Sequence, residues 1–304
     1  MHALGVLDAD LGAAAVDGEL TAHLGEFVGR NAGDMNPQNV ANSLQALSIL
    51  EAVTAAVSPT GWAGLAEAVE RTAPEMNEQG VANSLNALSK LEAAAAAVSP
   101  TGWASLAGAA ERTASQMNEQ GIANTLNALC MIEAAAAAVS PSAWAGLAEA
   151  AERTARKMNP QGVAKSLNAL CKLEAAAAAV SPTGWAGLAE AVERTALEMN
   201  PQAVANSLNA LTKLEKAAAV VSPPGWKRLV EAAERTASQM NEQNISNTLH
   251  ALGVLPAAAA ELSPSTRKHL EAAAEREASN MTSAGRWMTL RGCEKLRTPS
   301  AFLK

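Results

Sequence analysis

Side-chain amides recur along this chain at a fixed step, and of all its residues they have the most chemistry to offer. One column reads Asn42, Asn83, Asn124, Lys165, Asn206 and Asn247; a second reads Gln45, Asn86, Asn127, Asn168, Asn209 and His250. A third is Gln38, Gln79, Gln120, Gln161, Gln202 and Gln243, and a fourth position holds Lys90, Lys172 and Lys213, with Ile49, Met131 and Val254 in other units. An amide both donates and accepts hydrogen bonds. A ladder of them on successive helices could therefore read the edges of unstacked bases in single-stranded RNA. The same groups could instead bond to neighbouring units or face water, and the residue types leave both alternatives open.

Other chemistry is poorly provided for. Three cysteines and four histidines are present, with no CxxC pair. Cys130 and Cys171 share one register position with Ser89 and Thr212, which marks a slot for small residues and neither a redox pair nor a metal site. No nucleophile, base and oxyanion donor recur together, and the pair Glu111 and Arg112, repeated in every unit, reads as a solvated face. The expectation is no enzyme, no metal, no cofactor and no small-molecule substrate. No apolar run is long enough to cross a bilayer, so no membrane partner is expected. Asp8, Asp10, Asp17 and Glu19 argue against a targeting presequence. Formal charge is −7, and the stretch 76–116 sets Lys90 and Arg112 against Glu78, Glu92 and Glu111. Phosphate contacts need Lys or Arg, so the balance favours a protein partner over a nucleic acid.

The amides must be positioned by a repeat. Met35, Met76, Met117, Met158, Met199 and Met240 open successive units at a step of 41 residues, and Trp62, Trp103, Trp144, Trp185 and Trp226 keep that step. A fixed period of this length signals a stacked array. In "MNEQGVANSLNALSKLE", Asn77 is a natural N-cap, and the next position is Glu78 or, elsewhere, Pro37, Pro160 or Pro201. Val81, Leu85, Leu88 and Leu91 then share one helical stripe, with Gln79, Asn83, Asn86 and Lys90 opposite. Small flanks at Ala82, Ala87 and Ser89 invite close stacking, and the helix is free to continue through Ala93 to Ala97. A second helix starts at "SPTGW", with Ser99 as cap, Trp103, Leu106, Ala107, Ala110 and Ala114 on one stripe, and Arg112 facing away.

One such hairpin cannot bury its apolar faces alone, whereas a stack of them can. The predicted fold is all-α: an α-solenoid of helix-turn-helix repeats, twelve helices in six antiparallel pairs with the Trp column buried. The units are 35–75, 76–116, 117–157, 158–198, 199–239 and 240–280. Residues 1–34 read as a truncated repeat, because "HALGVL" at His2 matches "HALGVL" at His250; that start suggests a fragment. Residues 281–304 read as a degenerate repeat or a solvated tail, since Arg286 falls where Val81 stands. Arg286, Arg291, Lys295, Arg297 and Lys304 outnumber the one acid there, Glu294.

"MNPQNVANSLQALSIL", "MNPQGVAKSLNALCKL" and "MNPQAVANSLNALTKL", each followed by a Trp-bearing second helix, resemble the octotricopeptide repeat proteins of green algae. Those are related to the repeats of FAST-kinase-domain and RAP-domain proteins. The resemblance covers about residues 1–280 and implies an α-solenoid that binds RNA in the mitochondrion or chloroplast, acting in transcript stability, processing or translation. Carried onto this chain, the RNA-facing residues are the amide columns with Lys90, Lys165, Lys172 and Lys213. The competing expectations are a protein-interaction scaffold of armadillo or HEAT type, and a duplication product with a fold and no ligand.

Overall fold

The computed structural model describes residues 18–297; the expectations for His2 and for residues 298–304 lie outside that range. Among the described residues there are helices and turns and no strand. The chain forms two compact units, Met1–Ala150 and Ala151–Lys304. In each, every first helix packs on the first helix of the next repeat, and second helices stack likewise. Glu78–Leu88 lies between Pro37–Leu47 and Glu119–Met131 in one unit, and Pro201–Leu211 lies between Pro160–Leu170 and Glu242–Val254 in the other. Both are α-solenoid stacks.

Local chemistry sets the helix starts. Asn77 Oδ1 accepts the Gly80 N–H at 2.8 Å and Ser99 Oγ accepts the Gly102 N–H at 2.9 Å, each satisfying an orphan donor of the first turn. Pro100 stands in the first turn of the second helix, Pro100–Thr113, where a missing N–H costs nothing. The core follows the expected stripes. Trp62, Trp103, Trp144, Trp185 and Trp226 are all buried, as are Leu85, Leu88 and Leu106. The opening methionine is buried too, and the Ser84 hydroxyl donates to its sulfur, Met76 Sδ, at 3.6 Å.

Two expectations are corrected. The alanine tract does not extend the first helix: the chain breaks at Leu91, whose backbone (φ −106°, ψ 81°) leaves the helical region, and restarts as a separate helix, Glu92–Ala97. Leu91 thereby turns into the core and is buried, so burial of one leucine overrides the helix propensity of five alanines. Each repeat thus holds a first helix, a short middle helix and a second helix, and not two helices, and the first five close on a 3-10 turn such as Ala114–Gln116.

The Glu-Arg pair lies on a solvated face, as Glu111 and Arg112 show, but it is also engaged with the neighbouring repeats. Arg112 Nη2 donates to the carbonyls of Ala73 (3.2 Å) and Met76 (3.0 Å), spanning 36 residues back to the preceding repeat. The bridge to the Met carbonyl recurs at Arg71, Arg194, Arg235 and Arg276. It gives the Met carbonyl just past the 3-10 turn a charge-assisted donor and adds a second to the Ala carbonyl that opens the turn. The glutamates reach the other way. Ser99 Oγ, while capping its own helix, donates to Glu70 Oε2 at 2.7 Å, and Ser181 does the same to Glu152 at 2.6 Å. Thr266 and Ser265 both donate to Glu234.

These hydroxyl bonds hold the carboxyls of Glu70, Glu152 and Glu234 below the usual carboxylate range. A carboxyl with a lower pKa folded than unfolded stabilises the fold at neutral pH and loses that contribution as protons bind. Acidification below about pH 4.3 should therefore lower the denaturation midpoint of the wild type more than that of a Glu70→Gln, Glu152→Gln, Glu234→Gln variant. Equal acid sensitivity of the two proteins would rule the staples out as pH-dependent contacts.

Residues 281–297 keep the repeat register and do not form a solvated tail. Ser283–Arg297 is a helix packed on Glu242–Val254. Met281 and Thr289 are buried, and Thr289 Oγ1 donates to Met281 Sδ at 3.6 Å, as Ser84 does to Met76. Glycines permit the approach: a Cβ on Gly292 would sit 2.5 Å from the Leu249 carbonyl oxygen. The helix is thus the first helix of a further repeat, with Arg286 standing where Val81 does and exposed to solvent.

Candidate functional site

In the first compact unit, the polar stripes of Pro37–Leu47, Glu78–Leu88 and Glu119–Met131 border a groove of about 630 Å³. Asn42, Gln45, Gln79, Asn83, Gln120 and Asn124 line it, with Ala46 and Ala82 between them. An adjoining hollow of about 690 Å³ is lined by Gln38, Asn42, Asn77, Gln79 and Asn83. The small residues between first helices let them pack closely and leave the longer amides standing along the rim. Asn42, Gln45, Asn83 and Asn124 are half-buried, whereas Gln38, Gln79 and Gln120 are exposed.

Asn86, Asn127 and Lys90 belong to the same stripe but do not line this groove. Asn127 Nδ2 contacts Met131 Sδ at 3.6 Å, and Lys90 is exposed in the turn after the helix. In the second unit Lys165, Asn168, Asn206, Asn209 and Asn247 hold the equivalent half-buried positions on Pro160–Leu170, Pro201–Leu211 and Glu242–Val254, and Lys172 and Lys213 are exposed. His250 faces a smaller cleft with Trp287, Arg291 and Lys295. Burial and the charges of Lys295, Arg291 and Lys213 hold its pKa below the ordinary histidine value.

Most of the recurrent amides differ from the capping and stapling residues in what they touch. The Asn caps, the Ser caps, the Arg and Glu staples and the Ser-Met pairs are all engaged within the protein. Among the described residues, the side chains of Asn42, Gln79, Asn83, Asn86, Asn168, Asn206, Asn209 and Asn247 make no hydrogen bond to the protein. Gln45 goes further: its Oε1 is fully buried and has no partner. Buried polar groups are normally bonded, and an amide taken from water without a partner costs roughly 1–3 kcal/mol. A rim of this kind suits a ligand that presents both donors and acceptors.

Sequence reasoning passed over Trp287, and it treated Arg291 and Lys295 as tail. The 41-residue step was the signal that could have found them, since it carries the Asn86 column to Arg291 and the Lys90 column to Lys295. Among the described residues no cluster of His, Cys, Asp and Glu could hold a metal ion, and no helix is long and apolar enough to cross a membrane.

Comparison with known proteins divides the repeat in a way that follows this anatomy. A family model described as protein of unknown function (DUF1601) matches residues 18–44, 64–85, 104–126, 146–167, 187–208 and 227–249. Six segments of the chain are similar to DUF1601. Each DUF1601 match after the first begins within a second helix, passes the 3-10 turn and ends in the following first helix. It therefore takes in staple arginines such as Arg71 and Arg112, the buried methionines and the first amide column from Asn42 to Asn247. It stops one residue before the column from Gln45 to His250, and the alanine tract lies outside every match. No curated protein matches the chain significantly. Among solved structures, the crystal structure of the pentatricopeptide repeat protein PPR10 from maize is similar at 12% identity and a TM-score of 0.16, over 96% of this chain and 63% of that one. The chain spans less than two thirds of the length of that protein.

Proposed function

We propose that the chain binds single-stranded RNA, without catalysis, along the amide stripe of its first helices. One observation carries this reading: the side chains of Asn42, Asn83, Asn86, Asn168, Asn206, Asn209 and Asn247 are half-buried and make no hydrogen bond among the described residues, while the Asn caps, the Ser caps and the Arg and Glu staples are engaged within the protein. Splayed bases offer the complementary donors and acceptors. The nearly uniform columns suit a near-homopolymeric sequence. The resemblance to octotricopeptide repeats extends the proposal to transcript stability, processing or translation in the mitochondrion or chloroplast. Imaging a fluorescent fusion of the full-length gene product tests that location; a purely cytosolic signal removes it.

The binding test compares wild type with a variant carrying Asn→Ala at Asn83, Asn86, Asn124, Asn127, Asn206 and Asn209. By fluorescence anisotropy the wild type should prefer single-stranded over duplex RNA, with one homopolymer bound best. The variant should lose that preference and keep its helical circular dichroism. With few cations along the stripe, log K should fall shallowly with log salt, at ~0.7 per neutralised phosphate. Equal binding by both proteins, or none by either at low salt, would favour the protein-interaction scaffold that the charge of −7 suggests.

A further inference from the structure

The stripe changes character at the helix Ser283–Arg297. In the repeat register Trp287 stands where Ala82 and Ala205 do, Arg291 where Asn86 and Asn209 do, and Lys295 where Lys90 and Lys213 do. Elsewhere this rim has no aromatic ring and few cations; here it has both. The Trp287 ring is 56% exposed, against 3% for Trp185 and Trp226 in the core. The Arg291 guanidinium lies 4.9 Å from the ring centroid. Between this helix and Glu242–Val254 is a cleft of about 50 Å³ lined by His250, Val254, Trp287, Arg291, Gly292 and Lys295.

Size and charge select the ligand. The cleft is too small for a nucleobase and has room for a phosphate group, with the basic side chains of Arg291 and Lys295 at its edge. Lys213 adds its field from the neighbouring repeat. Cations gathered at one spot repel one another, and an anion seated among them removes that repulsion. The exposed ring beside the cleft supplies what the amide rim lacks, a flat surface for a base. Aromatic faces and guanidinium planes are the two surfaces on which unstacked bases settle.

We propose that this cleft anchors one nucleotide of single-stranded RNA, its phosphate held by Arg291 and Lys295 and its base stacked on Trp287. The inference rests on the RNA-binding reading above and adds an origin to it. Phosphate contacts fix register while edge contacts specify sequence. A strand pinned here would present its next bases to His250 and Asn209 in turn.

The test titrates labelled oligouridylate and oligoadenylate into the full chain, comparing wild type with Trp287→Ala, Trp287→Phe and the pair Arg291→Gln, Lys295→Gln. Trp287 is exposed, so its replacement leaves the fold intact, which circular dichroism checks. Loss of one stacked base corresponds to roughly 5- to 150-fold weaker binding for Trp287→Ala, with most affinity kept in Trp287→Phe. The Arg291, Lys295 pair variant should lower the salt slope by ~0.7 for the phosphate it no longer neutralises. RNA should also move the His250 titration, followed by NMR, to higher pH in wild type, because a phosphate offsets the charges that depress it. Oligomers with and without a 5′-phosphate separate a terminal phosphate from an internal one: a gain from the 5′-phosphate assigns the cleft to a chain end, and equal affinity assigns it to the backbone.

RNA binding by wild type with unchanged affinity, slope and His250 titration in the variants overturns the anchor and leaves the amide reading standing. Absence of RNA binding by wild type at low salt overturns both.

Discussion

Leu85→Ala should lower the unfolding free energy by ~2–5 kcal/mol, the range for buried leucines whose surroundings only partly collapse into the space left behind. Leu85 is 1% exposed, at the centre of the first-helix stripe. Its neighbour in sequence provides the contrast. Asn86 is half-buried with no partner for its side chain among the described residues, so Asn86→Ala should change stability by no more than ~0.5 kcal/mol. Alanine also favours the helix more than asparagine does, which offsets part of any lost contact. Urea unfolding followed by circular dichroism measures both. If Asn86→Ala proves the more damaging, the amides form a structural ladder and the RNA reading loses its carrying observation.

That contrast was legible in the sequence because both residues answer to one helix. A wheel drawn over Glu78–Leu88 separates Leu85 from Asn86 without knowledge of any neighbour, and Asn77, Ser99 and Pro100 announce their helix starts by local chemistry alone. The staples were not legible for the complementary reason. Arg112 faces away from Trp103 on its own helix, and only the stacking geometry brings the Met76 carbonyl, 36 residues earlier, within 3.0 Å. Likewise nothing local marks Leu91 as a break: the alanines after it favour helix, and the core that takes the leucine is built by other segments. For the site, composition placed the amides on one stripe, but the distinction between engaged and unengaged amides depends on what neighbouring repeats offer. Their neighbours turn out to spend arginine, glutamate and serine on that task.

The separation of duties bears on how such an array can change its ligand. Stability resides in Met, Leu, Trp and the staples, while the side chains of rim residues such as Asn83, Asn86, Asn206 and Asn209 make no hydrogen bond among the described residues. Substitution at those positions is therefore decoupled from folding, and the same place in the hairpin can carry Asn86 in one repeat and Gln45 in another without loss of the stack. At Trp287 and Arg291 the same freedom admits a ring and a guanidinium.

A single substitution made at two glycines should have opposite signs. Gly292 is buried where Ser283–Arg297 meets Glu242–Val254, and an added Cβ would lie 2.5 Å from the Leu249 carbonyl oxygen, 2.6 Å from its carbon and 3.1 Å from the His250 nitrogen. All three are backbone atoms of one helix, which cannot step aside individually, so the two helices must separate. Overpacking of this kind costs ~1–3 kcal/mol, and at ~2–4 °C per kcal/mol for a protein above the smallest domains the melting temperature should drop by several degrees. Gly108 lies on the exposed side of Pro100–Thr113 with nothing within 4 Å of an added Cβ. There the methyl only restricts the unfolded chain and favours the helix, so Gly108→Ala should stabilise by ~0.5–1 kcal/mol. Thermal denaturation of the two variants decides the matter. A neutral Gly292→Ala would mean that Ser283–Arg297 is not seated on its neighbour, returning residues 281–304 to a solvated basic tail and removing the wall on which the Trp287 anchor depends.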